Sequence, residues 1–354
     1  MTSLSTPLLV LVFAAAAGAT WVAGVALSRS TDELDRRFNL GDALGGVILL
    51  AIAGTLPELA ITVSAAAKGN LDLAAGNLIG GIAVQTMVLV VCDAAASPKW
   101  PLTYLVGSLL PVLEGALVVF LVAAVLCGAL LPASVAVGPV SPASIFIVVS
   151  WLGGIYIIDR VRKSPSWTVE MPGSSPGRRH RRERRPQEKP TPIIGSTRTG
   201  IAVFAVASLV TLVAGVALEV SGNTMADRAG INGVIFGATV LAVATALPEI
   251  SSGVTAVRLG DHELAVADVF GGNAFQVCLF LLADLVAGRP VLPTAGRLNS
   301  WLAALGVALT ILFMTGVIVR PRRTFGPRGL GFDSILAIVV FGLGMAGLFA
   351  LPPH

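Results

Sequence analysis

Apolar residues in this chain fall in long blocks parted by short polar stretches. A helix that crosses a membrane needs about 20 mostly apolar residues, and about ten blocks meet that length. They cover residues 7–28, 41–67, 71–96, 102–127, 141–159, 199–220, 231–257, 263–288, 298–319 and 331–351. The pattern predicts an all-α polytopic membrane protein with ten transmembrane helices. The first block has no basic residue ahead of it and outruns a signal-peptide core, so it is expected to be a true span. Composition agrees: 55% of residues are hydrophobic and 12% are charged, against about a quarter charged in soluble domains.

Charge then sets the organisation. The run Arg178–Arg185 (RRHRRERR) sits in a stretch rich in Pro, Ser and Gly, which reads as a disordered loop. It divides the chain into a first membrane half (1–159), a basic loop (160–198) and a second membrane half (199–354). Basic loops stay in the cytoplasm, and this one suits contact with anionic lipid rather than nucleic acid. Five spans on either side of it place both termini outside. Arg29, Arg36, Arg37, Lys99, Arg258, Arg320, Arg322, Arg323 and Arg328 then fall inside, and Lys68, Arg228, Arg289 and Arg297 outside. That bias is the expected one for an integral membrane protein, here of a bacterial plasma membrane.

The two halves repeat each other. Residues 46–67 read GVILLAIAGTLPELAITVSAAA and residues 237–258 read GATVLAVATALPEISSGVTAVR. Glu58 aligns with Glu249 at an offset of 249 − 58 = 191. Without a gap, the same offset pairs Pro57 with Pro248, Gly69 with Gly260, Leu73 with Leu264, Gly80-Gly81 with Gly271-Gly272, Gln85 with Gln276 and Asp93 with Asp284. The motif regions are about 46–93 and 237–284. A unit of five spans is odd, so the second copy enters the membrane inverted. Transporters built this way place the substrate near the midplane, where the repeats meet.

A carboxylate deep in a span costs at least about 2.5–3.5 kcal/mol unless it faces a cavity or a partner. No Lys, Arg or His lies near Glu58 or Glu249 in either span. Two-fold symmetry brings the two acids together, and such a pair takes up a cation or a proton. Pro57 and Pro248 each free a carbonyl one turn earlier, and freed carbonyls in a broken helix can coordinate a cation. Thr55 and Thr245 add hydroxyls, unless these bond back to their own helices. Gln85 and Gln276 add amide oxygens, unless they tie helices together. Together these oxygens suit a hard divalent ion such as Ca2+. Asn77, its partner Asp268, and Asn273 lie in the same helices as access-path or secondary candidates; Asp268 reads equally as a helix anchor. Glu114 and Glu219 have no acidic repeat partner and read as peripheral, and Asp93 and Asp284 as anchors near span ends.

At these residues the chain resembles the calcium/cation antiporter superfamily, which includes the sodium/calcium exchangers. GTLPELAITVSAAAKGNLDLAAGNLIGG and ATALPEISSGVTAVRLGDHELAVADVFGGN carry the likeness. The resemblance implies secondary active exchange of Ca2+ for Na+ by alternating access, with Glu58 and Glu249 as the central ion-binding carboxylates and Thr55 and Thr245 as ligands beside them. The chain also departs from the family pattern. Gly81 and Gly272 stand where Ser is typical, Gln85 and Gln276 where Asn and Asp are typical, and Gly54 and Ala246 where Thr or Ser is typical. These changes remove hydroxyls and a carboxylate, and keep proton-coupled or monovalent-cation exchange open.

Other classes fare worse. His180, His262 and His354 sit in loop or terminal positions without metal spacing, so no enzyme and no bound cofactor is expected. Cys92, Cys127 and Cys278 are odd in number and lie in apolar blocks, which argues against a disulfide framework. The expected partners are small inorganic cations and the lipid bilayer. A non-transporting scaffold or sensor on the same fold is the reading from another class.

Overall fold

The computed structural model describes residues 4–38, 52–163, 197–326 and 328–351. The first half holds α1 (Thr6–Phe38), α2 (Leu56–Ala67), α3 (Leu71–Ala96), α4 (Leu110–Ala129) and α5 (Pro142–Lys163). The second holds α6 (Thr197–Ala229), α7 (Gly233–Thr245), α8 (Leu247–Arg258), α9 (His262–Gln276), α10 (Leu279–Ala287), α11 (Arg297–Val319) and α12 (Phe332–Ala350). A two-residue hairpin, Thr324–Phe325 with Leu330–Gly331, precedes α12.

Among the described residues, eight segments are long and apolar enough to span a membrane, with α9 and α10 forming one of them. The pair α7–α8 makes a ninth, bent by 45°. The bend falls at Ala246, next to the Leu-Pro-Glu sequence, where Pro248 enters as an early residue of α8. Proline lacks an N–H and its ring crowds the preceding turn, so the helix stops and restarts there. α2 starts the same way, with Pro57 in its first turn. It is the described part of the span expected over 41–67; Gly46, Ala51 and the rest of 39–51 lie outside the described residues, as do 164–196 with Arg178–Arg185. α1 and α6 are each 33 residues long, well past the apolar blocks 7–28 and 199–220. Apolar blocks mark the hydrocarbon layer, whereas a helix runs on through polar residues until its backbone is capped.

Burial separates core from periphery. The apolar window of α3 is 78% buried, that of α1, α5, α6 and α12 only 28%. α3 is the central post, packed by α7, α8, α9 and α11. The outer helices turn side chains such as Leu11, Val22, Leu209 and Val213 outward, as lipid-facing helices must. α1 lies along α6, and each touches the Leu-Pro-Glu helix of the other half. A Cβ on Gly24 would come within 2.6 Å of the Pro248 ring, and one on Gly215 within 2.6 Å of the Ala60 Cβ and 3.1 Å of the Pro57 carbonyl. Gly24 and Gly215 are themselves repeat partners (215 − 24 = 191), within the hexapeptide VAGVAL that occurs at 22–27 and again at 213–218.

Two kinds of buried polar contact pin the helices. One is made by Asp93 and Asp284, whose carboxylates accept from backbone N–H groups. The other is Glu219 on α6, fully buried, whose Oε2 accepts from the Ser64 hydroxyl at 2.8 Å and pairs with Lys68. Lys68 is 43% exposed, so losing it leaves a buried carboxylate short of its cation, whereas losing the carboxylate lets the amine hydrate. Lys68→Ala is therefore expected to cost about 1–3 kcal/mol, discounted for screening of the exposed amine. Glu219→Gln should cost less. Thermal loss of the monodisperse peak in detergent checks the order.

Candidate ion site

The bend before α8 and the helix start at Leu56, after Thr55, position the acids. Glu58 and Glu249 stand in the first turns of α2 and α8. The partial positive charge of a helix start favours anions in its first turn. Glu58 is fully buried; its Oε1 accepts from Gln85 Nε2 at 2.9 Å, while Oε2 is buried without a hydrogen bond. The Thr245 side chain lies beside this carboxyl. Glu249 Oε2 is also buried without a hydrogen bond, and this carboxylate feels the negative charge of Glu58 and, more weakly, of Asp268. Two buried, unpartnered carboxylate oxygens on repelling groups form an arrangement that a cation or proton would relieve.

A cavity of about 310 Å³ reaches this point. Its inner wall carries Thr55, Pro57, Gln85, Pro248 and Glu249. Its lining also includes Ser252, Asp268, Gly271, Gly272, Glu114, Asp159 and Arg162. Arg162 is exposed, at the end of α5 that precedes residue 164. The Asp268 carboxylate accepts from the Ser252 hydroxyl at 2.8 Å. Glu114 Oε2 is buried without a hydrogen bond, and the Arg162 charge acts on its carboxyl.

The structure thus brings together Glu58, Glu249, Thr55, Thr245 and Gln85, and sets Asp268 along the cavity. It holds the other candidates elsewhere. Gln276 is fully buried away from the cavity wall, its Nε2 donating to the main-chain carbonyls of Leu78 at 2.7 Å and Asn77 at 3.2 Å. The Asn77 side chain is fully buried with neither polar atom hydrogen-bonded. Asn273 donates to the Thr86 hydroxyl at 3.2 Å, bridging α9 to α3. Thr245 donates to the Ala242 carbonyl at 3.1 Å. Glu114, which reads as peripheral in sequence, is in the cavity wall. No repeat partner marks it, and only the seating of α4 against α9 brings it there. Among the described residues no three His, Cys, Asp or Glu side chains converge tightly enough to hold a metal ion.

Comparison with known proteins places the chain in a family. CaxA of Alkalimonas amylolytica is 23% identical over 294 residues, 82% of this chain and 84% of its own. Inner membrane protein YrbG of Escherichia coli (strain K12) is 23% identical over 326 residues, 90% of each chain. In fold, the chain matches a solved structure of the sodium-calcium exchanger NCX_Mj with a TM-score of 0.60 at 16% identity, over 96% of this chain and 98% of that one. The sequence model of the sodium/calcium exchanger protein family matches residues 8–158 and 199–350. The chain is a polytopic membrane protein that belongs to the sodium/calcium exchanger family of cation antiporters.

Proposed function

We propose that this chain exchanges Ca2+ for Na+ by alternating access, at a midplane site centred on Glu58 and Glu249. The observation that carries the proposal is the pair of buried carboxylate oxygens without hydrogen bonds, Glu58 Oε2 and Glu249 Oε2, where Glu249 and the Gln85 that bonds Glu58 both line a cavity. Two carboxylates match the charge of one Ca2+, and Thr55, Gln85 and carbonyls freed ahead of Pro57 and Pro248 supply neutral oxygens. With the loop 160–198 in the cytoplasm, the cavity faces inward. Asp268 and Glu114 extend negative charge along it and draw cations toward the site. A bare site of charge −2 in a low-dielectric bundle crosses poorly, so the protein reorients when loaded, and exchange follows.

A second reading, proton-coupled Ca2+ exchange, is supported by the ligand count. Gly81 and Gly272 offer no hydroxyl, and Gln276 is engaged with the backbone of α3. Several Na+ ions would share few oxygens, whereas protons need only the two carboxylates. Uptake of radioactive Ca2+ into vesicles separates the readings. Uptake driven by an outward Na+ gradient at equal pH supports the first, and uptake driven by a pH gradient without Na+ supports the second. Uptake under neither gradient, from protein shown to be folded, overturns both.

A further inference from the structure

The two repeats are equivalent in sequence, yet the structure uses them differently, and the difference lies at one glycine and one glutamine in each. On α3, a Cβ at Gly81 would come within 2.3 Å of Gln276 Nε2. That amide donates to the carbonyls of Asn77 and Leu78, and α7 packs on the same stretch, with Gly76 against Val234 and Gly80 against Ala238. The bundle is shut there. On α9, the partner glycine Gly272 meets nothing within 4 Å among the described residues and lines the cavity. Its matching glutamine, Gln85, turns to Glu58 instead. One copy of the pair is closed and the other open.

We propose that Gln85 and Gln276 are alternating latches that exchange roles when the protein turns to face the other side. An inverted repeat lets each half adopt the conformation of the other. In the opposite state, Gln85 Nε2 packs on Gly272 and donates to the carbonyls of Asp268 and Val269, the equivalents of Asn77 and Leu78. Gln276 is released to donate to Glu249 as Gln85 now does to Glu58. Asn77 then lines the opposite cavity as Asp268 lines this one, and its buried, unbonded side chain becomes hydrated. Each latch needs a glycine opposite, because a methyl group would occupy the amide's place. Gln85 and Gln276 are positioning residues, and only one serves the ion site at a time. The inference deepens the alternating-access reading and rests on it.

Accessibility of single cysteines in vesicles tests this, in a Cys127→Ser background where Cys92 and Cys278 are buried. A membrane-impermeant maleimide reports on Ala267→Cys from the cavity face and on Asn77→Cys from the opposite face. Gly272→Ala adds a methyl to open space in the present state, so it folds, but it blocks the Gln85 latch. It should lower the ratio of Asn77→Cys to Ala267→Cys labelling rates by about tenfold, the shift in the two-state ratio that a steric cost of about 1.4 kcal/mol produces. Gly81→Ala, checked for monodispersity, should raise that ratio by a similar factor, about tenfold. An unchanged ratio in Gly272→Ala overturns the proposal, as does an unchanged ratio in folded Gly81→Ala. Labelling needs no transported ion, so a failure of the Ca2+ assignment leaves this readout intact and the two failures are distinguishable.

Discussion

Replacing Glu249 by Gln is expected to bring Ca2+ exchange down to the background of empty vesicles, and Glu58→Gln to do the same. Each substitution removes one of two charges at the site. Two unit charges about 4 Å apart interact by roughly 4 kcal/mol at an effective dielectric of about 20. Losing one such attraction weakens Ca2+ by about three orders of magnitude, at about 1.4 kcal/mol per tenfold. The fold should survive. At position 58 the amide oxygen of Gln still accepts from Gln85 Nε2, the bond that now reaches Glu58 Oε1, and at position 249 the carboxylate oxygen Oε2 makes no hydrogen bond to lose. Radioactive Ca2+ uptake by vesicles, with monodispersity in detergent as the control for folding, measures both. Normal uptake by either variant would remove that Glu from the site.

The second large effect concerns stability. Asp93 is 1% exposed and accepts three hydrogen bonds, from Leu102 N at 2.6 Å, Gly331 N at 2.7 Å and the Ser334 hydroxyl at 2.6 Å. Asp284, its repeat partner, accepts from Val291 N at 2.6 Å and Ser141 N at 2.9 Å. Each Asp ties the end of its own span to the following turn and to the start of the last helix of the other half: α12 for Asp93, α5 for Asp284. The halves are clamped crosswise, by charges set against helix N-termini. Asp93→Ala orphans two buried N–H groups and a hydroxyl, and each lost partner costs about 1–3 kcal/mol. The total expected is roughly 3–5 kcal/mol, since the three losses share one relaxed cavity. Asp93→Asn keeps one acceptor and should fall between the two. The temperature at which half the protein leaves its monodisperse peak in detergent reads this out. An unchanged midpoint in Asp93→Ala would show that the clamp carries no stability.

Several features were legible because they depend on local sequence alone. Long apolar blocks can only be helices in lipid, since every backbone group must be satisfied within the segment. Proline ahead of Glu58 and Glu249 marks where helices break, and the structure starts α2 and α8 there. The offset of 191 exposes the duplication; the VAGVAL hexapeptides extend it to α1 and α6, a signal outside the Leu-Pro-Glu motifs. Asp93 and Asp284 read as anchors, and they anchor, though the reading did not extend to the crosswise partners. Those partners are up to 241 residues away in sequence, and no local pattern encodes such a pairing.

Glu114 illustrates the limit from the other side. It has no repeat partner and no motif, and its place in the cavity wall follows only from how α4 seats against α9. Gln276 is the converse: symmetry makes it the equal of Gln85, but a single conformation of an inverted repeat cannot be symmetric if it opens to one side. The chain alone determined the class, the duplication and the buried place of Glu58 and of the Glu249 carboxyl oxygen, because burial cost and periodicity are properties of residue type and spacing. Only tertiary packing decided which glutamine meets a Glu and which grips the backbone, which glycine is covered and which faces the cavity, and which lone acid lines the route. Those depend on which half is closed, and identical motifs in the two halves carry no information about that.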